Sequence, residues 1–566
     1  LGKSDQESVY DLKSVQLPYL TGFPLRMMVA LLESPLRGLI LPTLFQNAGI
    51  TWFREQEFNQ VPTFEPIHYS NSPCPSVDES PKVELPQSPQ PGPGFRFSTI
   101  HDYAQAYRAG KTTPEEVAEK VLAAIEASEA ADPPLCAFIA LNRDEVLAQA
   151  RQATKRLGDG EPISVFDGVP VAVKDELDMT PYPTTAGTSF LGSTIAKEDA
   201  TVVARLRAAG ALLLGKTNMH EIGIGVTGLN PHHGTTRNPY HSGHFTGGSS
   251  SGPATAVAAG FCPVAIGADG GGSIRIPSAF CGQVGLKPTF GRVSEFGAAP
   301  LCWSLAHVGP IAATVTDAAL TYTIIAGLDA KDANTLHQPT LTLERWTETD
   351  LSDLILGVYW PWFRHASPEV VSICEAMLDE FQRMGAKLKE ITIPNLKAGR
   401  VAHVIIIASE MTQGLDQDYS AHHGDFGLDV RMNLALARQF RSRDYVKAQR
   451  ARTQMIDNFN RALTEVDAII TPACGVAAPP IADAALPDGE SDLTTLTEIM
   501  RFAVPGNMTG LPAIAFPAGY TEKGLPVGLQ AMGRAWEEAT LLRLAWSAER
   551  VVERKGPQIF YPILAE

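Results

Sequence analysis

Short apolar runs at residues 169–173, 211–214, 263–266, 468–470 and 513–516 recur along most of the chain, with helically patterned stretches such as 200–209 and 539–552 between them. Runs this short and this apolar read as strands buried in a sheet. Their alternation with helices indicates an α/β architecture around a central, mostly parallel or mixed sheet. One helix is marked at its start: Thr113 caps, Pro114 takes the first helical position and Glu116 completes a capping box. Val117, Val121, Leu122 and Ile125 give it one apolar face, and the pattern runs to about residue 127.

Two glycine-dense segments carry the chemistry. Gly247-Gly248-Ser249-Ser250-Ser251-Gly252 is followed by Ala268-Asp269-Gly270-Gly271-Gly272-Ser273-Ile274-Arg275. Taken singly, such segments are most often loops, and a triple-glycine turn is also compatible with a phosphate cradle. The segment lacks both the G-x-G-x-x-G and the G-x-x-x-x-G-K-[ST] spacing, however. Serines in tight turns with no catalytic-looking histidine beside them point to activation by another base. Lys174 closes the apolar run Val169-Pro170-Val171-Ala172-Val173. A strand-end lysine is commonly a surface charge or half of an ion pair; one desolvated there gives up its proton more readily and serves as a general base.

Taken together and in this order, these motifs resemble the amidase-signature family. Phe280-Cys281-Gly282, Gly285-Leu286-Lys287-Pro288-Thr289, Gly291-Arg292-Val293-Ser294, Asn507-Met508-Thr509-Gly510-Leu511-Pro512 and Gly524-Leu525-Pro526-Val527-Gly528 extend the likeness from about residue 95 onward. The resemblance implies an α/β fold, a central mixed β-sheet flanked by helices on both faces, with an N-terminal helical extension. It also implies a Ser-Ser-Lys triad with a cis peptide bond before the central serine. Mapped onto this chain, Lys174 is the base, Ser249 the relay and Ser273 the nucleophile. Backbone N–H groups of Gly270, Gly271, Gly272 and Ser273 form the oxyanion hole, and Ser250, Asp269 and Arg275 support the site. No cofactor and no metal are implied.

Within the family, Thr235-Thr236-Arg237-Asn238-Pro239, Met532-Gly533-Arg534-Ala535-Trp536 and the N-terminal Leu20-Thr21-Gly22 and Leu31-Leu32-Glu33-Ser34-Pro35-Leu36 resemble the plant-type fatty acid amide hydrolases. The resemblance implies a lipid amide substrate, N-acylethanolamines in particular, and a homodimer. The loop 295–305 departs from that pattern, which leaves amine selectivity open. The alternative reading is a soluble amidase or carbamate hydrolase for smaller aryl or alkyl amides. An amidotransferase subunit shares the Ser-Ser-Lys core but ordinarily lacks such an extension, and an intact triad speaks against a non-catalytic scaffold.

Residues 1–69 read as the extension, 70–94 as a proline-rich strap without regular structure and 95–566 as one catalytic domain. Two helices, about 24–32 and 35–45, would present Leu25, Met28, Val29, Leu32, Leu36, Leu39, Ile40 and Leu44 as apolar surface, for a membrane interface or for a helical arm covering the domain or a dimer partner. No run there reaches the roughly 20 apolar residues of a membrane span. A net charge of -16 argues against a nucleic-acid partner and against electrostatic docking on anionic lipids, so membrane contact is expected to be apolar. Seven scattered cysteines without C-x-x-C spacing suit a reducing compartment, and no secretory signal pattern is present. Together these give an expectation of an intracellular, peripherally membrane-associated enzyme. Cys281 reads as a packed small residue, and His220 with the pair His232-His233 lacks ligand spacing for a metal.

Overall fold

A computed structural model describes residues 9–69, 82–83, 92–486 and 488–564. Eleven strands form one sheet. In chain order they are β1 (Phe138–Leu141), β2 (Pro170–Lys174), β3 (Leu212–Thr217), β4 (Val264–Ala268), β5 (Val284–Lys287), β6 (Val308–Ala312), β7 (Ile355–Val358), β8 (Lys387–Glu390), β9 (Ala468–Pro472), β10 (Ala513–Tyr520) and β11 (Pro526–Gly533). Across the sheet the order is β8-β7-β9-β11-β10-β5-β6-β4-β2-β3-β1. The sheet is mixed: β2 runs parallel to both β3 and β4, while β4 and β6 are antiparallel.

All five apolar runs became strands, because each is buried on both faces; Val171, Val173, Leu213 and Ile266 lie in one core with their flanking helices. The strands not foreseen have other compositions. β8 reads Lys-Leu-Lys-Glu and is half exposed at the sheet edge, where charge guards an unpaired strand face.

The N-terminal segment forms α1 (Gly22–Glu33), a 3-10 turn (Pro35–Leu39), α2 (Leu41–Asn47) and α3 (Ile50–Glu55). The single helix expected over 35–45 is thus split. Pro42 has no N–H for the i→i−4 ladder and its ring crowds the carbonyl four residues back, so the helix restarts beside it. The helix expected from Thr113 is present as α4 (Pro114–Glu129), with the Thr113–Glu116 capping box formed.

Further along the chain, α5 (Ser251–Ala258) and α6 (Arg275–Phe280) follow the two glycine-dense segments. Helices α7 (Leu396–Gly414), α8 (Leu428–Ala437), α9 (Ser442–Leu463), α10 (Leu493–Ile499) and α11 (Val504–Thr509) then build the wall against which the N-terminal segment packs. Leu25, Val29 and Leu32 of α1 bury against Met432 and Ala435 of α8. Arg431 Nε donates to Glu33 at 3.0 Å, and Arg54 holds Asp444 of α9 through two bonds of 3.0 and 2.7 Å. Leu20–Thr21 pairs antiparallel with Glu490–Ser491.

Most of the strap lies outside the described residues. Its described pair Lys82–Val83 corrects the expectation of no regular structure, since it forms a short parallel ladder with Thr342–Leu343.

Candidate active site

Parallel strands β2 and β4 end side by side, and the side chain of Lys174 reaches across that edge. The carboxyl ends of parallel strands are where open α/β sheets place their ligands. Lys174 is buried and its Nζ donates to Ser249 Oγ at 2.9 Å and to the Ala268 carbonyl at 3.2 Å. Nζ also lies 2.7 Å from Glu176 Oε2. Both partners of this ion pair are almost fully excluded from water, at 1% and 7% exposure.

Ser249 follows the cis Gly248–Ser249 peptide. Its carbonyl accepts from the N–H of His220 at 3.1 Å and of Ser251 at 2.9 Å, which fixes the turn that enters α5. Ser250 Oγ donates to the Ala268 carbonyl at 3.1 Å and so ties this turn to β4. Ser273 sits in the next turn, immediately before α6, and is 4% exposed. The structure therefore brings Lys174, Ser249 and Ser250 together with the glycine turn that carries Ser273, all at the ends of β2 and β4.

Asp269 organises the glycine turn. Its carboxylate accepts from Gly272 N at 2.6 Å, Ile274 N at 3.1 Å, Arg275 Nε at 3.0 Å and Asn507 Nδ2 at 2.9 Å. Burial works against the charge, yet the Arg275 guanidinium and these hydrogen bonds hold the carboxyl well below the usual carboxylate range. The Gly272 N–H is already spent on Asp269, whereas the N–H groups of Gly270, Gly271 and Ser273 have no partner among the described residues. Gly272 adopts φ +118°, and a Cβ there would lie 2.5 Å from Ile276 Cδ1, so only glycine fits.

Four residues that sequence reasoning did not single out complete the arrangement. Asn507 donates to the Asp269 and Leu305 carbonyls and accepts from Arg275. Gln530 accepts from Arg275 Nη1 at 2.6 Å. His403, buried on α7, has its Nε2 2.8 Å from the Gly270 carbonyl. A carbonyl can only accept, so Nε2 carries the proton, and burial pushes the imidazole down to about 4 and keeps it neutral. The fourth is Glu176. Asn507 lies in a segment already notable for its motif, and Glu176 lies two residues past Lys174, but neither spacing reveals a contact.

The remaining reactive side chains have partners of their own. Cys281 is buried against the Thr246 carbonyl, and burial pushes its thiol well up. His220 faces Asp429, His232 faces Glu221 and His233 faces the Thr188 carbonyl.

A cavity of about 400 Å³ lies between the N-terminal segment and α7, α8 and α10. A Cβ at Gly271 would lie 2.9 Å from His403 and 3.0 Å from Met500, and both residues also line the cavity. Its other walls come from the N-terminal segment, including Leu12, Met28, Leu32 and Leu44, and from Leu436 and Leu496.

The family model described as Amidase matches residues 119–542. A fatty acid amide hydrolase of Oryza sativa subsp. indica is 40% identical over 98% of this chain and 96% of its own length. The fatty acid amide hydrolase of Arabidopsis thaliana matches at the same identity and coverage. Among solved structures, the native peptide amidase of Stenotrophomonas maltophilia superposes with a TM-score of 0.70 at 30% identity, covering 81% of this chain and 98% of that one. The chain belongs to the amidase-signature family. It is an amide-hydrolysing enzyme, similar over nearly its full length to plant fatty acid amide hydrolases.

Proposed function

We propose that this enzyme hydrolyses fatty acid amides, N-acylethanolamines in particular, through Ser273, Ser249 and Lys174. The observation that carries the lipid substrate is the apolar cavity between α7, α10 and the N-terminal segment, two of whose lining residues, His403 and Met500, also stand against Gly271. An apolar enclosure of this size takes an alkyl chain, whose burial is worth about 0.8 kcal/mol per methylene. A small amide would leave most of it unfilled.

Ser273 Oγ attacks the carbonyl carbon while its proton passes to Ser249 Oγ, and the proton of Ser249 passes to Lys174 Nζ, which accepts it in its unprotonated form. The negative charge that develops on oxygen is met by the N–H groups of Gly270, Gly271 and Ser273; one such donor is typically worth about 3 kcal/mol of barrier. The proton then returns through Ser249 to the leaving nitrogen, the C–N bond breaks, and water releases the acid from the Ser273 ester. Asp269, Arg275 and Ser250 hold the turn and the strand edge in register.

Peripheral membrane contact belongs to the same reading. Phe23 and Met27 of α1, with Leu36 and Leu39 of the following turn, are exposed on the segment that walls the cavity. Among the described residues no helix is long and apolar enough to cross a membrane, and the contact proposed is made by these exposed side chains at the interface.

Turnover of a long-chain N-acylethanolamine beside a short-chain anilide, with Ser273→Ala as control, tests the reading. A strong preference for the long chain, lost in the control, is expected. Preference for the anilide would contradict the lipid substrate and leave a small-amide hydrolase.

A further inference from the structure

Glu176 stands in an unusual place. Among the described residues it is the carboxylate that Lys174 Nζ pairs with, at 2.7 Å, and both groups are buried. Its backbone carbonyl accepts from the Ala299 N–H at 2.8 Å, so the divergent loop 295–305 roofs the pair. A buried carboxylate placed behind a general base recurs in the Ser-His-Asp triad. There the acid orients the base and stabilises the cation that forms on it.

We infer that Glu176 is a positioning residue for the proton relay, aiming Lys174 Nζ at Ser249 and stabilising the ammonium that forms when Lys174 takes up the relayed proton. The inference rests on the reading of Lys174 as the base. Proton balance is simple: the O–H bond of Ser249 breaks as an N–H bond forms on Lys174, the O–H bond of Ser273 breaks as Ser249 is reprotonated, and Glu176 remains a carboxylate throughout. The new positive charge appears 2.7 Å from an existing negative one instead of in an apolar interior, where an isolated ion is heavily disfavoured. When the tetrahedral intermediate collapses, the same proton is held ready for the departing amine.

Other titratable groups face the pair. Burial pushes the Glu295 carboxyl and the Cys302 thiol up from their ordinary values. Glu410 is raised by burial as well, yet it accepts from Ser304 and Tyr445 and lies close to Arg452. Asp175 is occupied by Lys216 at 3.2 Å, and Asp269 by Arg275.

The test is the pH profile of kcat/KM for an N-acylethanolamine in the wild-type enzyme, Glu176→Gln and Glu176→Asp, with Ser273→Ala as reference. Losing the carboxylate leaves the buried ammonium without its counter-charge, so the neutral amine persists to lower pH. In Glu176→Gln the acid limb is expected to move down by about one pH unit or more. At the same time kcat is expected to fall about 100-fold with KM little changed, because the cation in the transition state has lost its support. Glu176→Asp keeps the charge at a longer reach and is expected to show a smaller shift and a partial recovery of kcat.

An acid limb that stays where the wild type has it, with only kcat reduced, assigns Glu176 a structural role and overturns the inference. If Glu176→Gln does not accumulate as folded protein, Glu176→Asp carries the test, and a limb coincident with wild type overturns it there. A wild-type activity that survives Ser273→Ala would instead remove the underlying reading of the site.

Discussion

At the scale of single residues, the site depends on charges that are tolerated only because each is answered. Asp269 and Arg275 are both fully buried and bonded to each other. Replacing Asp269 with Asn removes one charge and strands the other, a loss of roughly 3–5 kcal/mol, to be read as a lowered melting temperature together with lost activity. Lys174→Ala is expected to slow amide hydrolysis more than hydrolysis of the matching ester. An amine leaves poorly unless protonated, whereas an alkoxide departs with less help; equal losses on both substrates would remove Lys174 from the relay. His403 supplies a pH signature. Its folded value, about 4, lies below the ordinary 6.5, so the unfolded chain binds the extra proton across that window. Stability from this group is complete above pH 6.5 and is lost as pH falls toward 4, by about 3 kcal/mol in all. The gap in melting temperature between wild type and His403→Gln is therefore expected to shrink over that range.

Individual elements show how a segment divides its apolar residues between two tasks. The inner face of α1 places Leu25, Val29 and Leu32 against α8, and Leu25→Ala is expected to lose about 2–5 kcal/mol by opening a cavity. The outer face keeps Phe23 74% and Met27 55% exposed, without a partner to bury them. Phe23→Ser combined with Met27→Ser is expected to weaken partition onto neutral phosphatidylcholine vesicles, as measured by co-sedimentation. Because the chain carries a net charge of -16, that partition should change little with salt. Vesicle binding unaffected by the double substitution would contradict the membrane contact proposed for this face.

For the whole molecule, what the sequence made legible follows from how local each signal is. Buried strands such as β2, β3 and β4 announce themselves as apolar runs, and α4 by its capping box. β8 and β11 lack that signature, because an edge strand carries charge and β11 mixes glycine and glutamine into its face. The glycine turn and its serines were readable as motifs. The bond from the Gly272 N–H to Asp269, which occupies a donor that the resemblance had placed in the oxyanion hole, was not, because only the folded chain shows it. His403 and Gln530 join the site from elements 133 and 255 residues away from their partners, and Glu176, though two residues past Lys174, shows its contact only in the folded chain. The same holds for the cavity, which exists only where the N-terminal segment closes over α7 and α10.

The most direct measurement is peptide mass mapping of the enzyme quenched during turnover of a long-chain N-acylethanolamine. The fatty acyl group should be found as an ester on Ser273 in the wild type and be absent from Ser273→Ala. An acyl group on Ser249 or elsewhere, or turnover with no trapped ester and full activity in Ser273→Ala, would contradict the account.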